Sequence, residues 1–158
     1  MSIQVGDTLP GGTLKVMGPE GPQDKTISEL FDGKKVVLFA VPGAFTPGCS
    51  MTHLPGFVVN ADKIKAKGVD SIICVAVNDA FVMDAWGKAQ NAEEIIMAAD
   101  GVADYTKALG LELDASGFGL GIRSKRYAMI VDNGKVTYLG VDEKAIEKSS
   151  AETVLEQL

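Results

Sequence analysis

Short, mostly apolar runs alternate with helix-like segments through the first two thirds of the chain. Runs of this kind, bounded by turn residues, are typical of strands that are covered on both faces of a sheet. The predicted strands cover residues 35–41, 69–77 and 97–100. The predicted helices cover residues 47–67, 80–89, 91–96 and 102–109. This alternation predicts an α/β fold.

The first 34 residues lack that regularity and predict an irregular N-terminal extension. Residues 13–16 are expected to form one short strand. A short helix is predicted over residues 29–31, with Ser28 as its N-cap.

A hairpin is predicted near the C-terminus. Its strands, residues 125–131 and 135–139, flank Asn133-Gly134, and Asn-Gly is a strong signal for a two-residue hairpin turn. Parallel crossovers followed by an antiparallel hairpin predict a mixed central sheet flanked by helices. The length of the chain is that of a single domain, residues 1–158.

Charge and composition exclude several classes of function. The net charge is −6 with no basic cluster, so we expect no nucleic-acid partner. No apolar run approaches the roughly 20 residues of a membrane span, and residues 1–7 do not resemble a signal peptide. We therefore expect a cytoplasmic protein without a membrane partner. An organelle matrix is the alternative if a transit peptide has been removed.

Cys49 lies where the first buried strand is predicted to give way to a helix. Thr46 is a good N-cap residue and Pro47 is favoured at the first helical position. Cys49 then falls in the first helical turn, where free N–H groups and the helix dipole favour a thiolate. Pro55 is expected to kink the helix. The alternative reading of Cys49 is an unreactive, buried apolar residue.

Arg126 is the second candidate for chemistry. Alternation along the predicted strand puts Arg126 on the same face as Ala128 and Ile130. If that face is buried, the guanidinium needs an anionic partner, and a Cys49 thiolate is one candidate. A carboxylate partner, or an Arg stem lying along the surface, is the alternative.

The remaining cysteine and the single histidine limit the chemistry further. His53 lies four residues after Cys49 on the same helix face, and we assign it to packing or electrostatic support. Cys74 lies in the middle of a predicted strand; it is either an inert core residue or a resolving cysteine. Two cysteines and one histidine offer too few ligands for most zinc sites, and we expect no metal and no cofactor.

The residues from Pro42 to Cys49 resemble the Pro-x-x-x-Thr-x-x-Cys signature of peroxiredoxins. Residues 50–57, 77–86 and 123–128 are similar to the type II, or peroxiredoxin-five, subfamily. The resemblance covers nearly the whole chain. It implies a thioredoxin-like fold and a thiol peroxidase that reduces hydrogen peroxide and alkyl hydroperoxides.

The resemblance also implies roles for individual residues. Cys49 would be the peroxidatic cysteine and would pass through a sulfenic acid. Thr46 would hydrogen-bond the thiolate or peroxide, and Pro42 would shield the pocket from water. Arg126 would lie beside the thiolate, with Arg123 supporting the loop.

One departure from the family concerns the reductant. Some type II members carry a further resolving cysteine near the C-terminus, and residues 141–150 contain none. Cys74 is then the only internal candidate, so we expect reduction by glutathione with glutaredoxin or by a thioredoxin-like protein. The family implies a homodimer in which Phe45 and Phe81 could take part. The alternative function is a non-enzymatic, peroxide-sensing or chaperone-like protein that uses the same cysteine.

Overall fold

The computed structural model describes residues 2–158, which form one large and one small β-sheet with helices around them. The strands are β1 (Thr13–Gly18), β2 (Gly21–Thr26), β3 (Lys35–Ala40), β4 (Ser71–Ala76), β5 (Ile95–Ala99), β6 (Glu112–Asp114), β7 (Ile122–Ser124), β8 (Arg126–Asp132) and β9 (Lys135–Asp142). The helices are α1 (Ile27–Phe31), α2 (Leu54–Ala66), α3 (Ala80–Ala89), α4 (Asp104–Leu109) and α5 (Ala151–Gln157).

The large sheet has the strand order β2-β1-β5-β4-β3-β8-β9, and β6 pairs with β7 apart from it. Strand β3 runs parallel to β4 on one side and antiparallel to β8 on the other. The predicted mixed sheet is therefore confirmed. Within residues 2–158, no helix is both long and apolar enough to span a membrane.

Two cores cover the two faces of the sheet. Alternate residues of β3 enter each core because side chains of a strand point to opposite faces. Val37 and Phe39 pack with residues of α2, α3 and α5, whereas Val36 and Leu38 pack with residues of α1 and α4. The apolar character of β3 at successive positions, noted in the sequence, follows from this double coverage.

The N-terminal region is more regular than predicted. Strands β1 and β2 form a hairpin, and β1 extends the large sheet by pairing with β5. Strand β2 is one of the two edge strands and is mostly exposed. Its polar sequence and Pro22 therefore lack the apolar pattern by which a strand is predicted. Helix α1 is capped by Thr26, not by Ser28, through a capping box with Glu29.

The predicted helix over residues 91–96 is wrong. The chain turns at Asn91, whose φ of 55° breaks the helix, and then enters β5. Strand β5 pairs with β4 in parallel and with β1 in antiparallel orientation. These ladders involve distant residues, and they override the local helical periodicity.

The C-terminal hairpin has the predicted turn. Asn133 and Gly134 have φ angles of 49° and 80°, as a turn with two left-handed residues requires. Strand β9 runs on to Asp142, three residues beyond the predicted end. The added length matters because it brings Asp142 beside Arg126 in the β8–β9 register.

Candidate active site

Cys49 lies in an unusual turn just beyond the end of β3. Helical backbone begins at Pro47, as predicted, and the Thr46 carbonyl accepts the Ser50 N–H at 2.9 Å. Residues Cys49–His53 form a π-helical turn in which the Leu54 N–H donates to the Cys49 carbonyl, five residues back. Widened turns of this kind are frequent at functional sites.

Pro55 accounts for the position of this turn. It lies at the start of α2, directly after the π-helical residues, and it has no N–H to donate to the preceding turn. The irregularity predicted at Pro55 therefore takes the form of a widened turn on its N-terminal side. The Cys49 side chain is completely buried there.

The sheet brings Arg126 to Cys49. Because β8 runs antiparallel to β3, the start of β8 lies beside the end of β3. The Arg126 Nη2 donates to the Cys49 Sγ at 3.3 Å, across 77 positions of sequence. Gly48 leaves room for this contact, since a Cβ there would lie 3.3 Å from the same nitrogen. The guanidinium thus places a fixed positive charge beside the sulfur.

His53 binds the second terminal nitrogen of the guanidinium. The Arg126 Nη1 lies 2.9 Å from the His53 Nδ1, and the His53 Nε2 lies 2.8 Å from the Ser149 carbonyl oxygen. Arginine only donates and a carbonyl only accepts. The ring must therefore carry its proton on Nε2 and accept the Arg126 hydrogen bond on Nδ1.

His53 is neutral at ordinary pH. Burial lowers its pKa to about 4; the hydrogen bond to Ser149 opposes this shift, and the charge of Arg126 adds to it. The ring also packs against Phe39 and Phe57, with centroid distances of 5.1 and 5.6 Å. Packing and electrostatic support, the two roles assigned to His53 from the sequence, are thus combined in one side chain.

Asp142 and Ser149 complete this network, and neither was predicted from the sequence to belong to the site. The Asp142 Oδ2 accepts hydrogen bonds from the Ser149 N–H at 2.9 Å and from the Ser149 hydroxyl at 2.7 Å. It also accepts the Glu147 N–H, and Oδ1 accepts the Lys148 N–H. Burial raises the pKa of Asp142, but these donors outweigh it and hold the pKa below its usual value. Asp142 and Ser149 are seven positions apart in the sequence and resemble ordinary loop or cap residues. Nothing in their local sequence indicates a link to Cys49.

The hydroxyl proton of Thr46 is already used within the loop. Its hydroxyl donates to the Gly43 carbonyl at 2.6 Å. Because the single hydroxyl proton is used there, Thr46 can only accept a hydrogen bond from a ligand. The Thr46 carbonyl accepts the first intrahelical hydrogen bond, from the Ser50 N–H, whereas the hydroxyl, which the sequence suggested as a cap, donates to Gly43.

Arg123 ties the Pro42 loop to the Gly-rich loop 117–121. Its Nη1 donates to the Pro42 carbonyl at 3.3 Å and its Nε donates to the Leu120 carbonyl at 3.0 Å. A Cβ at Gly43 would lie 2.8 Å from the Arg123 Nη1, so a side chain at this position would displace the guanidinium. Pro42 itself is half-buried at the edge of the site.

Two further contacts hold the loop and the helix in place. The Ala44 N–H donates to the Asn78 Oδ1 at 2.9 Å. The Trp86 indole N–H donates to the Ser50 Oγ at 2.9 Å. Both partners come from the segment that follows β4, and the sequence offered no role for either.

Cys74 lies in the same core as Cys49 but in a different setting. It occupies the middle of β4, opposite Phe39 on β3 and Met97 on β5, and it is completely buried. Burial raises the pKa of the Cys74 thiol well above its usual value, and the nearby Cys49 adds to the effect. Both cysteines are free thiols.

The comparisons with known proteins identify the family of the chain. The Redoxin family profile matches residues 4–155. Peroxiredoxin-2D of Arabidopsis thaliana is 51% identical over 160 residues, which are 99% of this chain and 98% of the relative. The chloroplastic peroxiredoxin-2E of the same plant is 48% identical over 163 residues, which are 99% of this chain and 70% of that relative.

The structural likeness is equally extensive. Reduced Prx3 of Vibrio vulnificus, solved in complex with H2O2, is 63% identical, covers 98% of both chains and superposes with a TM-score of 0.95. Profile, relatives and structure each span nearly the whole chain. This protein therefore belongs to the type II, or peroxiredoxin-five-like, peroxiredoxins: it has their thioredoxin-like fold and is a thiol peroxidase.

Proposed function

We propose that Cys49 is the peroxidatic cysteine of this thiol peroxidase and that hydrogen peroxide and alkyl hydroperoxides are its substrates. The observation that carries the proposal is the 3.3 Å contact between the Arg126 Nη2 and the Cys49 Sγ at the start of a helix. A buried thiol paired with a fixed cation is a nucleophile that only a small substrate can reach. The complex of the Vibrio vulnificus relative with H2O2 supports the same choice of substrate.

The reaction is a displacement on oxygen. The Cys49 thiolate attacks one oxygen of the peroxide, an S–O bond forms, and the O–O bond breaks. The leaving oxygen takes the electron pair and a proton and departs as water or an alcohol. Cys49 is left as a sulfenic acid, the first step of cysteine oxidation.

The neighbouring residues would act on the two oxygens. Thr46, whose own proton is held by Gly43, accepts the O–H of the incoming peroxide. Arg126 and the free N–H groups of the first helical turn stabilise the charge that develops on the leaving oxygen. Pro42, with its carbonyl held by Arg123, limits the access of water to the site.

We further propose that an external thiol restores Cys49. A first thiol would condense with the sulfenic acid to a mixed disulfide and water. A second thiol would then release reduced Cys49 and an external disulfide. The burial of Cys74 in β4 and the lack of cysteine in residues 141–150 support glutathione with glutaredoxin, or a thioredoxin-like protein, as the reductant.

Stopped-flow fluorescence tests the assignment of Cys49. Trp86 is the only tryptophan of the chain and bonds to Ser50, next to Cys49, so it reports oxidation at the site. Mixing reduced protein with H2O2 should produce a rapid signal change that Cys49→Ser abolishes and Cys74→Ser retains. A rapid change in Cys49→Ser would overturn the assignment.

Turnover with glutathione–glutaredoxin and with thioredoxin, compared side by side, tests the reductant. Cys74→Ser should turn over as the wild type does with the preferred system. If Cys74→Ser lost turnover while Cys49 still formed sulfenic acid, Cys74 would be a resolving cysteine and an external thiol would not suffice.

The remaining parts of the proposal concern assembly and compartment. We propose that residues 1–158 act as one domain in a homodimer. The side chains of Phe45 and Phe81 are 55% and 65% exposed and are available for its interface. Light scattering coupled to size-exclusion chromatography tests the dimer. Two free cysteines support a reducing compartment, the cytoplasm or an organelle matrix, which imaging of the tagged protein in its source cells would test.

A further inference from the structure

Both terminal nitrogens of the Arg126 guanidinium form hydrogen bonds. Nη2 donates to the Cys49 Sγ and Nη1 donates to the His53 Nδ1. Rotating the guanidinium away from His53 would also turn Nη2 away from the sulfur, because the five donors form one rigid plane. The position of the His53 ring therefore determines where the charge of Arg126 lies.

The His53 ring is in turn bound by Ser149, in the C-terminal part of the chain. Its Nε2–H donates to the Ser149 carbonyl across 96 positions of sequence. Ser149 is completely buried, and Asp142 binds both its N–H and its hydroxyl. The Ser149 carbonyl belongs to the same peptide unit as the Ser150 N–H, which donates to the Glu147 carbonyl at 3.2 Å. This bond and the two bonds to Asp142 together hold the direction of the carbonyl.

The loop that carries Ser149 is seated by further contacts. The Tyr138 hydroxyl donates to the Lys148 carbonyl at 2.6 Å. Gly140 lies so close to that carbonyl that a Cβ would collide with it. The Thr153 hydroxyl donates to the Glu147 carbonyl at 2.6 Å. Strand β9 and helix α5 thus hold the loop from both sides.

We propose that Asp142 is a positioning residue for the peroxidase reaction: it acts through Ser149 and His53 to hold Arg126 against Cys49. Asp142 touches neither the sulfur nor the substrate. It orders the loop 143–149, directs the Ser149 carbonyl and so selects the His53 tautomer that can accept from Arg126. The inference rests on the proposed role of Cys49 and Arg126 and adds a part of the chain remote from both in sequence.

His53 provides a direct readout, because it is the only histidine of the chain. In protein labelled with ¹⁵N, long-range proton–nitrogen spectra at pH 7 contain a single imidazole and distinguish its two neutral tautomers. The wild type should show only the Nε2–H tautomer. Asp142→Ala should give a mixture of tautomers, since the Ser149 carbonyl is no longer directed at Nε2.

The second-order rate constant for H2O2 in a single turnover should fall in Asp142→Ala on the order of tenfold to a hundredfold, the scale of a displaced catalytic group. In an Arg126→Gln background, Asp142→Ala should cause no further loss, because both changes remove the same contact. Additive losses in this double-mutant cycle would overturn the proposal.

Asp100→Ala is the matched control. Asp100 is also a buried carboxylate that binds two backbone N–H groups, those of Tyr105 and Thr106. It belongs to no hydrogen bond with His53 or Arg126. This variant should lose stability as Asp142→Ala does but should retain the wild-type tautomer and rate.

Asp142→Asn keeps the test decisive if Asp142→Ala does not fold. The amide retains one oxygen for the Ser149 donors and turns an N–H toward the Lys148 N–H, so it weakens the loop without emptying the site. It should show a smaller change of tautomer and rate in the same directions. Wild-type tautomer and rate in a folded Asp142 variant would overturn the proposal. Full turnover in Cys49→Ser would instead overturn the proposed function. The His53 tautomer would still show whether Asp142 acts through Ser149 on His53.

Discussion

Cys49 and Cys74 lie in one core and are equally buried, yet only one of them is placed for chemistry. Cys49 lies at a helix start with a guanidinium nitrogen 3.3 Å from its sulfur. Cys74 lies in the middle of a central strand, where burial raises the pKa of its thiol. Burial penalises a thiolate wherever it occurs. The two cysteines therefore differ in whether a fixed positive partner lies beside the sulfur, and not in exposure.

The sharpest way to break this comparison is to ask which sulfur takes an oxygen. One equivalent of H2O2 should add a single oxygen to Cys49 and none to Cys74, because of the two sulfurs only that of Cys49 lies beside a fixed positive charge. Mass spectrometry of the proteolytic peptides after rapid quenching measures this. In urea-unfolded protein the selectivity should disappear, and oxygen found first on Cys74 in the folded protein would contradict the comparison.

Removing the charge should bring Cys49 closer to Cys74 in behaviour. Arg126→Gln should lower the second-order rate constant for H2O2 roughly 10²–10³-fold, as loss of one fixed donor does at a developing negative charge. Stopped-flow fluorescence of Trp86 measures it. Arg123→Gln, which frees the Pro42 loop but leaves the Cys49 sulfur its partner, should cost less. Equal losses in both variants would mean that loop order, not charge, activates Cys49.

The network around Cys49 should also make stability depend on pH. The pKa of His53 is lowered to about 4 in the folded protein, against about 6.5 in an unfolded chain. Between these values the unfolded state binds more protons, so stability is complete above about pH 6.5 and is lost as the pH falls toward 4. A shift of this size corresponds to about 3 kcal/mol.

Urea unfolding as a function of pH, with His53→Gln as the control, measures this contribution. The free energy of unfolding of the wild type should fall more steeply between pH 6.5 and 4 than that of the variant. Parallel curves would show that His53 is not held neutral by its surroundings.

The smallest expected effect concerns Cys74 as a packing residue. Cys74→Ser should lower the free energy of unfolding by roughly 1–3 kcal/mol, because it buries a hydroxyl in an apolar site. Cys74→Ala adds no polar group and should cost less than the serine variant. Urea denaturation compares them at pH 7. Both variants should reduce H2O2 at the wild-type rate; a slow Cys74→Ala variant would give Cys74 a part in the chemistry.

The local signals in the sequence were reliable where a short segment determines its own structure. Helix α3 has the predicted limits, and the Asn133-Gly134 turn has the predicted conformation. The short strand predicted over residues 13–16 is confirmed as β1, but other segments stabilised by distant partners were misjudged: β2 looked irregular, and the start of β5 looked helical. In those segments the ladder with another strand outweighs the local preference.

The candidate site divides in the same way. Cys49, Thr46 and Pro42 lie within eight residues of each other, and their motif is visible in the sequence. Arg126 was proposed as a partner because its strand face needed an anion, but its distance from Cys49 could not be inferred. Asp142 and Ser149 were missed entirely, since each looks like an ordinary loop or cap residue.

The sequence by itself determined the family, the order of most elements and the cysteine placed at the start of a helix, because these depend on motifs and on interactions within a few residues. Only the tertiary structure decided which groups meet the sulfur. The antiparallel pairing of β3 with β8 brings Arg126 to Cys49, and the end of β9 brings Asp142 beside Arg126. Contacts between residues 77 and 96 positions apart leave no local trace, because they are formed by the pairing of whole strands and not by the chemistry of neighbouring residues.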